Sequence, residues 1–574
     1  MEKVWLKNYP PGVPHEVDIP NLSLGKMLEE SARKYPGNTA IIFVNNRISY
    51  AQLDQYANKF ANVLADLGVK KGDRVAIHLP NLPQLVFAYY GTMKAGAVAV
   101  MFNPLYSPRE IEHQLRDSGA KVLLTLDRFW PQVSKALEKV KPDHVLIARV
   151  KDYLKFPLNL LEPIKAKREG QHVEVEVNAS RYGLKGMQEL KPLLEQAPAS
   201  RPEVEIDPAQ DLAVFQYTGG TTGISKGVML THRNLVANVI QLSAWDQQAR
   251  RGEEKVLCTL PFFHSYGMTV DMNLGIYMGY TLILVPNPRD LHMVVQMIRK
   301  HRPTLWPGVP AMYIALLNSP EVKEGRLDVT SIRACLSGAA PLPVEVQEEF
   351  EKITGGKLVE GYGLSEASPV THANPLEGMR KAGSIGMPLP STEVKIVDVE
   401  DRTRELPIGE VGELAVRGPQ VMRGYWNMPD ETALVLDEEG WLYTGDIARA
   451  DEDGFFYIVD RKKDMIIASG YNIYPREVEE VLFEHPKVAD AAVAGVPHPK
   501  RGETVKAYVV LKEGETATAE EIIEFCRERL SRYKVPTEVE FRKELPKTMV
   551  GKVLRRVLVE EEKKKMEAQG ESRA

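Results

Sequence analysis

The feature that most constrains the fold is a regular alternation of helical and strand-like periodicity between residues 24 and 126. A first helix is predicted from apolar residues that share one face: Leu53, Ala57, Phe60, Ala61, Leu64 and Leu67. The strand-like segments are VAIHLP from Val75, then VAVMFNP and KVLLTLD, and a helical stretch over 83–95 separates the first two. Because strands separated by helices pair in parallel, the pattern predicts an α/β architecture.

Size and composition indicate a globular protein of several domains. A chain of 574 residues exceeds what one hydrophobic core supports, so we expect at least two domains and three or four subdomains. The 73 basic and 78 acidic residues are mixed along the chain, which argues against a nucleic-acid partner. Cys258, Cys335 and Cys526 are far apart, without the clustering of a disulfide framework or a zinc site. A reducing, intracellular compartment fits best.

Residues 151–205 interrupt the alternation with prolines and mixed charges, and QAPASRPEVEIDPAQD from Gln196 is typical of a linker. One interpretation of the segment KFPLNLLEPIKAKREG, in which lysines flank apolar residues, is a membrane-surface contact. We favour the other, an insertion packed on its own domain, because Pro157 and Pro163 interrupt a long amphipathic helix. The N-terminal segment MEKVWLKNYPPGVPHEVDIP has no apolar core long enough for a signal peptide, and no later stretch approaches the length of a membrane span, so we expect a soluble or at most peripheral protein.

The most informative segment is YTGGTTGISKG, residues 217–227, which follows the apolar run LAVFQ and precedes a helix-like stretch. We predict a strand, a flexible loop and a helix, an order that fits a phosphate cradle. Glycines let the backbone approach a ligand, and backbone N–H groups, threonine hydroxyls and a lysine donate to phosphate oxygens. The segment is not a Walker loop, because no Gly-Lys-Ser/Thr ends it. A flexible surface turn is the alternative, but it leaves three threonines and a lysine unexplained.

The same segment matches the G-x-S-x-G pattern of a serine hydrolase over residues 223–227. In such an enzyme the serine lies directly between a strand and a helix, supported by an oxyanion-hole loop and a later acid and histidine. Here several Gly and Thr residues separate Ser225 from the strand. We therefore favour coincidence over a nucleophilic serine.

Two further segments, LSGAAPLP at 336–343 and VEGYGLSEASPV at 359–370, each follow an apolar strand-like run. In open α/β sheets, ligands bind in the crevice at the carboxyl ends of strands. Tyr362 could lie against a purine, Ser365 could donate to a phosphate, and Glu366 could hold Mg²⁺. Taken singly, such a tyrosine is more often a core or turn residue, and such a glutamate is usually solvated.

These motifs together resemble the acyl-adenylate-forming (AMP-binding) superfamily of acyl- and aryl-CoA synthetases, firefly luciferase and peptide-synthetase adenylation domains. Within it, the sequence is most similar to bacterial long-chain fatty-acid–CoA ligases, from about Trp5 to about Glu560, with the motifs in the family's order. The resemblance implies an α/β protein whose large N-terminal region has several subdomains with mixed sheets and helices, followed by a small mobile α+β C-terminal domain. The implied boundaries are 1–460 for the large region, 461–463 for a hinge and 464–574 for the small domain, with a tail that frays from about 560.

The resemblance also implies a nucleotide site. GWLYTGDIA at 440–448 is similar to the family's ribose motif, in which a carboxylate, here Asp446, accepts hydrogen bonds from both ribose hydroxyls; a turn aspartate is the alternative. Thr218 and Glu366 are implied metal ligands, and the family's usual proline before the lysine is Ser225 here, so we expect altered loop flexibility with retained function. The implied ATP- and AMP-binding residues are Thr218, Gly219, Gly220, Thr221, Thr222, Gly223, Lys226, Gly338, Ala339, Glu360, Gly361, Tyr362, Gly363, Ser365, Asp446, Arg461 and Lys552.

The C-terminal motifs imply the moving parts of the enzyme. DRKKDMIIASGYNIYPREVEE from Asp460 is similar to the family's hinge, with Arg461 contacting the nucleotide and Lys463 at the pivot. ELPKTMVGKVLRR at 544–556 is similar to the terminal catalytic motif, which makes Lys552 the catalytic lysine. Taken alone, a lysine in a basic stretch is usually solvated. The implied coenzyme A contacts follow the hinge: Ser469, Gly470 and Tyr471.

The acyl pocket is implied by the segments LPFFHSYGMTVDMNLG at 260–275 and WPGVPAMY at 306–313. His264 would lie near the adenylate as a catalytic or pocket residue. A core histidine whose ring nitrogens are hydrogen-bonded within the protein is an equal alternative. Gly267 and Gly308 would leave room for a deep apolar channel, and neighbouring methionines would adapt to it. The long-chain specificity therefore rests mainly on the resemblance.

The resulting hypothesis is a cytoplasmic fatty-acid–CoA ligase that uses ATP and Mg²⁺, with coenzyme A as co-substrate. A fatty acid, ATP and CoA are the expected partners, without nucleic acid; a homodimer and peripheral contact with the inner face of the membrane stay open. Ligation of medium-chain or aromatic acids, or transfer to a carrier-protein thiol, is the alternative within this class. From other classes, a serine hydrolase using Ser225 and a nucleotide-binding module without catalysis are kept.

Overall fold

The computed structural model of this chain describes residues 3–219, 225–468, 471–498, 502–548 and 553–571. Its α-helices are α1 (Leu24–Lys34), α2 (Tyr50–Asp66), α3 (Pro83–Lys94), α4 (Pro108–Ser118), α5 (Trp130–Leu137), α6 (Leu158–Arg168), α7 (Ala179–Tyr182), α8 (Leu190–Gln196), α9 (His232–Trp245), α10 (Leu274–Met278), α11 (Leu291–His301), α12 (Pro310–Leu317), α13 (Pro320–Lys323), α14 (Val344–Thr354), α15 (Pro429–Ala433), α16 (Pro475–Phe483), α17 (Ala519–Arg527) and α18 (Arg555–Glu571). Short 3-10 turns cover Val4–Asn8, Asp127–Phe129, Val150–Tyr153 and Ser365–Ala367, and a π-helix covers Gly267–Asn273.

The strands belong to several sheets. They are β1 (Thr39–Phe43), β2 (Asn46–Ser49), β3 (Arg74–His78), β4 (Val98–Met101), β5 (Val122–Leu126), β6 (His144–Ala148), β7 (Gly186–Glu189), β8 (Leu212–Gly219), β9 (Ser225–Thr231), β10 (Lys255–Cys258), β11 (Thr281–Leu284), β12 (Ala334–Ser337), β13 (Lys357–Gly363), β14 (Val370–Ala373), β15 (Met387–Pro388), β16 (Glu393–Val397), β17 (Gly412–Arg417), β18 (Gly424–Tyr425), β19 (Leu442–Ala450), β20 (Phe456–Arg461), β21 (Ile466–Ala468), β22 (Tyr471–Ile473), β23 (Val488–His498), β24 (Gly502–Leu511) and β25 (Glu538–Phe541).

The largest sheet contains eight strands in the order β18-β9-β8-β4-β3-β5-β6-β7. From β8 to β7 every neighbouring pair is parallel, whereas β9 runs antiparallel to β8 and β18 antiparallel to β9. The segments VAIHLP, VAVMFNP and KVLLTLD form β3, β4 and β5. The α/β architecture predicted from residues 24–126 is thus confirmed.

Helices α2 and α3 show how the local sequence determines this packing. Helix α2 begins at a capping box, in which Ser49 Oγ accepts a hydrogen bond from the Gln52 N–H and the Ser49 N–H donates to Gln52 Oε1. Helix α3 is buried along its whole length, as its mostly apolar sequence favours. At Gly91 a Cβ atom would lie 2.7 Å from the Ala57 carbonyl oxygen, so the close contact between the two helices depends on this glycine.

Three four-stranded sheets complete the large region: β10-β11-β1-β2, β12-β13-β14-β15 and β16-β17-β19-β20. The C-terminal sheet has the order β22-β21-β24-β23, with β25 paired to β24. Apolar side chains between Ile466 and Val535 form a core of their own beneath this sheet. The fold is therefore a mixed α/β region followed by a small α+β domain, as predicted, while the boundaries at 460 and 463 stay predictions.

The insertion over residues 151–205 is joined to the large sheet through β7, which pairs in parallel with β6. This agrees with the favoured interpretation, a segment packed on its own domain. Our reason for it was partly wrong, because helix α6 continues through Pro163 rather than stopping there. Proline removes one backbone hydrogen bond from the helix, and the ion pair between Arg128 and the adjacent Glu162 attaches this turn to the domain.

The C-terminal segment predicted to fray from about residue 560 is helical to Glu571. Its composition is polar, but partners on other elements stabilise it. Lys506 lies 2.8 Å from Glu562, Arg542 Nη2 lies 2.7 Å from Glu561, and Leu558 is fully buried. These long-range contacts are absent from any local pattern, and fraying of the end stays a prediction.

Among the described residues, no helix is both long enough and apolar enough to cross a bilayer.

Candidate active site

Strands β12 and β13 bring two of the predicted nucleotide segments side by side. The strands are parallel, with Ser337 opposite Glu360. Gly338 and Ala339 directly follow β12, beside the carboxyl end of β13. Ala339 has a φ of 65°, a conformation that costs a residue with a side chain more than it costs glycine. The two predicted halves of the adenine slot therefore lie at the same edge of one sheet, as the rule for open α/β sheets predicts.

The glycines of β13 are explained by close packing. A Cβ atom at Gly361 would lie 2.7 Å from Leu336 Cδ1, and one at Gly363 would lie 2.1 Å from the Pro369 carbonyl oxygen. Either contact is shorter than van der Waals distance, so larger residues would move the strand. The backbone on both sides of Tyr362 is fixed in position by these contacts.

Asp446 joins three predicted nucleotide-binding residues. It lies in β19 opposite Arg461 of β20, and only 5% of it is exposed. The Tyr362 hydroxyl donates to Asp446 Oδ2 at 2.5 Å, and Arg461 Nε lies 3.2 Å from Asp446 Oδ1. Burial, with the carboxylate beside it, raises the pKa of the Tyr362 hydroxyl well above its usual value, so this hydroxyl stays a donor. Residues from three strands thus meet at one buried carboxylate.

Glu366 and Lys226 flank the ring of Tyr425. The Tyr425 hydroxyl donates to Glu366 Oε1 at 2.8 Å, and Lys226 Nζ lies 5.0 Å from the centroid of the ring. Lys226 also forms an ion pair with Glu431. Strand β18, which contains Tyr425, pairs with β9, which contains Lys226. The predicted metal ligand and the predicted phosphate-binding lysine are therefore positioned by one short strand.

The phosphate segment differs from the predicted order of strand, loop and helix. Strand β8 is followed by the antiparallel strand β9, and α9 begins only at His232. The reason is a ladder in which Thr218 is opposite Lys226, reinforced by Ser225 Oγ donating to the Thr218 carbonyl at 2.9 Å. Gly220, Thr221, Thr222 and Gly223 lie outside the described residues.

The same hairpin argues against the serine-hydrolase alternative. Ser225 is the first residue of β9 and is followed by six more strand residues before any helix. A nucleophile elbow requires the serine between a strand and a helix, with its Oγ presented to the substrate. Here Oγ donates to a backbone carbonyl within the ladder.

The predicted pocket segment meets the nucleotide segment at Ser365. Its Oγ lies 3.1 Å from Ser265 Oγ, and both side chains are buried. His264, the residue before Ser265, is partly buried. Its Nδ1 accepts a hydrogen bond from the Tyr266 N–H at 3.2 Å. Segment 264–266 is therefore in contact with the residues that follow Tyr362.

Gly267 and Gly308, assigned to the acyl pocket from sequence, are also sites of close packing. A Cβ atom at Gly267 would lie 2.5 Å from the Pro261 carbonyl oxygen, and one at Gly308 would lie 2.9 Å from the Tyr313 hydroxyl oxygen. Protein atoms therefore lie where a side chain at either position would begin. The assignment of these glycines to an acyl pocket stays a prediction.

The Asp460 side-chain carboxylate connects the two sides of the predicted hinge, residues 461–463. Asp460 accepts from the N–H of Arg461 at 2.6 Å and from the N–H of Arg476, in the first turn of α16, at 2.7 Å. Burial raises the pKa of Asp460 to about 6. Burial likewise raises the pKa of Glu360 to about 7, although the charge of Arg476 opposes the shift. The large region therefore caps the first helix beyond the hinge and places a second carboxyl group near it.

Three predicted residues, Ser469, Gly470 and Lys552, lie outside the described residues. For Tyr471 the structure describes the backbone, in β22. Lys463 is exposed between β20 and β21. The described residues contain no group of three or more His, Cys, Asp or Glu side chains that could hold a metal ion by themselves.

Comparison with known proteins agrees with this geometry. The family model described as "AMP-binding enzyme" matches residues 28–426, and that of the "AMP-binding enzyme C-terminal domain" matches residues 477–552. The chain belongs to the AMP-binding enzyme family. It is 52% identical over 562 residues, 98% of each chain, to the long-chain-fatty-acid–CoA ligase of Bacillus subtilis strain 168.

Solved structures of this family have the same fold. The crystal structure of an ATP-bound RpMatB-BxBclM chimera, B1, superimposes with a TM-score of 0.81 at 31% identity, covering 94% of this chain and 99% of the other. The anthranilate CoA ligase AuaEII in complex with anthranoyl-AMP superimposes with a TM-score of 0.80 at 25% identity, covering 95% and 98%. As an AMP-binding enzyme, the chain therefore shares both the large and the small domain with these structures.

The sequence analysis missed Tyr425 and Glu431, which contact Glu366 and Lys226. Both lie about 200 residues after the lysine, in the segment GYWNMPDETA. The only local signal is a Gly-Tyr-Trp run before the Pro-Asp-Glu start of α15, which predicts a helix and no ligand. Long-range strand pairing brings these residues to the site, so periodicity could not find them.

Proposed function

We propose that this chain is a long-chain-fatty-acid–CoA ligase, which activates a fatty acid with ATP and then transfers the acyl group to coenzyme A. The observation that carries the proposal is the Tyr362–Asp446–Arg461 cluster, followed within four residues of the tyrosine by Glu366. It occurs in a chain that is similar along 98% of its length to a Bacillus subtilis enzyme of that name.

The first step joins the acid to AMP. A carboxylate oxygen of the fatty acid bonds to the α-phosphorus of ATP, the bond from that phosphorus to the bridging oxygen breaks, and pyrophosphate leaves. The product is a mixed anhydride whose leaving group is AMP. Negative charge accumulates around the α-phosphorus, so the reaction needs a cation and oriented donors there. We assign the cation to Lys552 and the donors to the hairpin that contains Thr218 and Lys226.

Asp446 is suited to the ribose of the nucleotide. Its carboxylate has lone pairs left after accepting from Tyr362 and can take hydrogen bonds from two vicinal hydroxyls. Arg461, beside it, adds positive charge near the phosphates of the same nucleotide. We assign the adenine slot to Gly338, Ala339 and residues 360–363, at the shared edge of β12 and β13.

Glu366 fits a magnesium ion. Mg²⁺ in nucleotide sites is bound by one or two carboxylates together with substrate phosphates, and the Glu366 carboxylate meets the first of these needs. Glu366 and Thr218 would hold the ion, which neutralises phosphate charge when bound. Tyr425 orients the Glu366 carboxylate through its hydrogen bond at 2.8 Å.

The second step transfers the acyl group. The sulfur of coenzyme A bonds to the acyl carbon, the bond from that carbon to the phosphate oxygen breaks, AMP leaves and the thiol gives up its proton. The thiol must approach from a side that Lys552 would occupy, so the small domain rotates about Lys463. Ser469, Gly470 and Tyr471 then face coenzyme A, and no acyl-enzyme is required.

The decisive experiment measures pyrophosphate release with butyrate, octanoate, palmitate or benzoate, each with and without coenzyme A. We expect the highest kcat/KM with palmitate, and AMP with palmitoyl-CoA as products when coenzyme A is added. Release only with benzoate would disprove the long-chain assignment. Release that is unaffected by coenzyme A, with no thioester formed, would favour a carrier-protein acceptor.

A membrane-surface contact is proposed for the start of α6. Phe156 is 77% exposed, and Leu160, Leu161 and Ile164 are each at least half exposed. Lysines flank this apolar face. Such a combination suits the interface of an anionic bilayer and places the enzyme, in the cytoplasm, beside a source of fatty acid.

Sedimentation with vesicles tests this contact. We expect the unaltered chain to sediment with anionic phosphatidylglycerol vesicles, and the double variant Phe156→Glu, Ile164→Glu to stay in the supernatant. The matched control is Leu434→Glu, which changes an equally exposed leucine elsewhere. If the control variant is lost from vesicles as completely as the double variant, the assigned surface is wrong. Self-association into a homodimer stays a prediction, which analytical ultracentrifugation would test.

A further inference from the structure

Arg555 has an unusually complete set of partners for an arginine outside the nucleotide site. Its Nη2 lies 2.6 Å from Glu479 Oε2 and donates to Oε1 at 2.7 Å, its Nε donates to the Val493 carbonyl at 3.1 Å, and its Nη1 lies 3.2 Å from Asp464 Oδ2. The side chain is 20% exposed, and Glu479 is buried. The guanidinium thus connects the first residue of α18 with α16, β23 and the segment next to the hinge.

The acceptors of Arg555 are themselves fixed. Glu479 Oε1 also accepts the Val493 N–H at 2.7 Å, so this carboxylate is attached to β23 as well as to the arginine. Asp464 lies one residue beyond the proposed pivot, Lys463. A planar guanidinium that binds two carboxylates and a carbonyl determines both the distances between these acceptors and their orientation around its plane. The single ammonium group of a lysine cannot do this.

We infer that Arg555 is a positioning residue for adenylate formation, which fixes the start of α18 relative to the segment that follows Lys463, the proposed pivot. This inference rests on the proposed function. Lys552 precedes Arg555 by three residues, so an anchor at Arg555 restricts where the lysine can be. The ion pair with Asp464 makes the hinge-side end of the small domain and the start of α18 move as one body.

The adjacent Arg556 provides a matched comparison. It is 58% exposed, and its recorded ion pair is with Glu560, one turn along the same helix, at 3.1 Å. That contact stabilises the helix by a small amount and connects it to nothing else. The two neighbouring arginines therefore differ in their exposure and in the connection of Arg555 to α16 and to the segment next to the proposed hinge.

Removal of the anchor should leave the domain folded. Leu558 is fully buried against the face formed by Ala492, Ala494 and Tyr508, and Lys506 holds Glu562. Helix α18 therefore stays attached to the sheet when Arg555 is replaced. The expected defect is a displaced catalytic segment, and a displacement of about 1 Å can lower a rate by about 100-fold.

The experiment compares Arg555→Met, Arg555→Lys, Asp464→Asn and Arg556→Met in the full chain. Adenylation is followed as ATP–pyrophosphate exchange, with whichever acid the unaltered enzyme activates best. Thioesterification is followed as loss of the coenzyme A thiol from supplied acyl-adenylate. Near-ultraviolet circular dichroism and thermal denaturation report on folding.

We expect Arg555→Met to lower the adenylation kcat by about 100-fold, with the KM for ATP and the thioesterification rate changed by less than about threefold. Arg555→Lys should fall between this variant and the unaltered enzyme, Asp464→Asn should lose about fivefold, and Arg556→Met should be unchanged. Equal losses in both half-reactions, or full adenylation by a folded Arg555→Met variant, would overturn the inference. If Arg555→Met does not fold, Asp464→Asn decides, because unchanged adenylation in that variant also overturns it.

Failure of the proposed function would give different experimental results from failure of the inference about Arg555. If the unaltered enzyme activates a short or aromatic acid, the long-chain assignment fails while the comparison of variants still applies. If it exchanges pyrophosphate with none of the acids, the ligase proposal itself fails. In that case near-ultraviolet circular dichroism and thermal denaturation still report whether the protein is folded.

Discussion

The two sides of the proposed active site are held together in different ways. In the large region, Tyr362, Asp446 and Arg461 come from three strands and meet because strand register places them there. In the small domain, Arg555, Glu479 and Asp464 are held by charged hydrogen bonds between side chains. Register is a property of a whole sheet, whereas an ion-pair network depends on each member. We therefore expect the Tyr362–Asp446–Arg461 cluster to keep its geometry during the proposed domain rotation, and the proposed role of Lys552 to depend on the ion-pair network.

The largest expected effect tests the small-domain side directly. Replacing Lys552 by alanine removes the cation assigned to the α-phosphate, so adenylation should fall by about 1,000-fold. Thioesterification from supplied acyl-adenylate should stay near its original rate, because the lysine is absent from that step. Single-turnover measurement of each half-reaction checks this. A hydrolase or a simple nucleotide-binding module predicts no change at all, and equal damage to both half-reactions would contradict the assigned role.

On the large-region side, Asp446→Asn should lower kcat/KM for ATP by about 100-fold. The amide has one acceptor where the carboxylate has two, and a lost charge-assisted hydrogen bond in a buried site costs about 2–3 kcal/mol. Steady-state kinetics at varied ATP measures the change. The control is Asp453→Asn, which alters a carboxylate that pairs with Lys381 and is about half exposed. If both variants lose activity equally, the ribose assignment is incorrect.

The pH dependence of stability tests the burial of Glu360, whose pKa is also affected by the charge of Arg476 in the small domain. Glu360 has a pKa raised to about 7, so the native state binds more protons than the unfolded state between pH about 4.5 and 7. The free energy of unfolding should therefore fall as pH rises through this window, by about 2 kcal/mol. Glu360→Gln should flatten this dependence, as measured by urea denaturation at pH 5 and pH 7.5.

The exposed Glu348 provides the control for that measurement. Glu348→Gln should leave the original slope in place. A slope that is identical in the Glu360→Gln variant and the unaltered protein would show that burial of Glu360 does not set it.

The proposed rotation of the small domain is tested at Lys463, the proposed pivot. Lys463→Pro fixes one φ angle of the hinge, so thioesterification should slow by about tenfold while adenylation changes less. Lys463→Ala, which leaves φ free, should behave like the unaltered enzyme in both steps. Thioesterification kinetics unaffected by proline would place the pivot elsewhere.

The smallest expected effect concerns the pair between Lys226 and Glu431. Glu431 is 37% exposed, and if Lys226 binds phosphate as proposed, this carboxylate competes for it. Glu431→Gln should therefore lower the KM for ATP by about threefold, as expected for a partly exposed ion pair. The neighbouring Asp430→Asn, at an exposed position, is the control. A KM that rises in the Glu431 variant would show that the carboxylate assists binding.

How much of the molecule could be predicted depends on the range of the interactions. Helix α2 and strands β3, β4 and β5 were found because the apolar period of each is local and strong. The β8–β9 hairpin was missed because its glycine- and threonine-rich turn gives no local sign that the chain returns antiparallel. Helix α18 was missed because Lys506 and Arg542, which neutralise its acidic side chains, belong to distant segments.

The same distinction applies to the candidate site. Tyr362, Asp446 and Arg461 were named from motifs, and the structure brings them together. Glu431 was not named from a motif, because its partner, Lys226, is 205 residues away. Their ion pair exists only once β18 has paired with β9. Motifs identify residues that contact a ligand, whereas residues that adjust those side chains appear only with the tertiary structure.

Strand β18 also forms one edge of the largest sheet. An unpaired outer strand offers free N–H and C=O groups to another chain, and proteins commonly cover such strands with short ones. β18 covers the outer side of β9 with two residues, and β7 from the insertion covers β6 with four. Detachment of residues 424–433 would therefore expose unpaired N–H and C=O groups of β9. The same event would break the hydrogen bond between Tyr425 and Glu366. Inactivation by heat and the onset of aggregation should begin together.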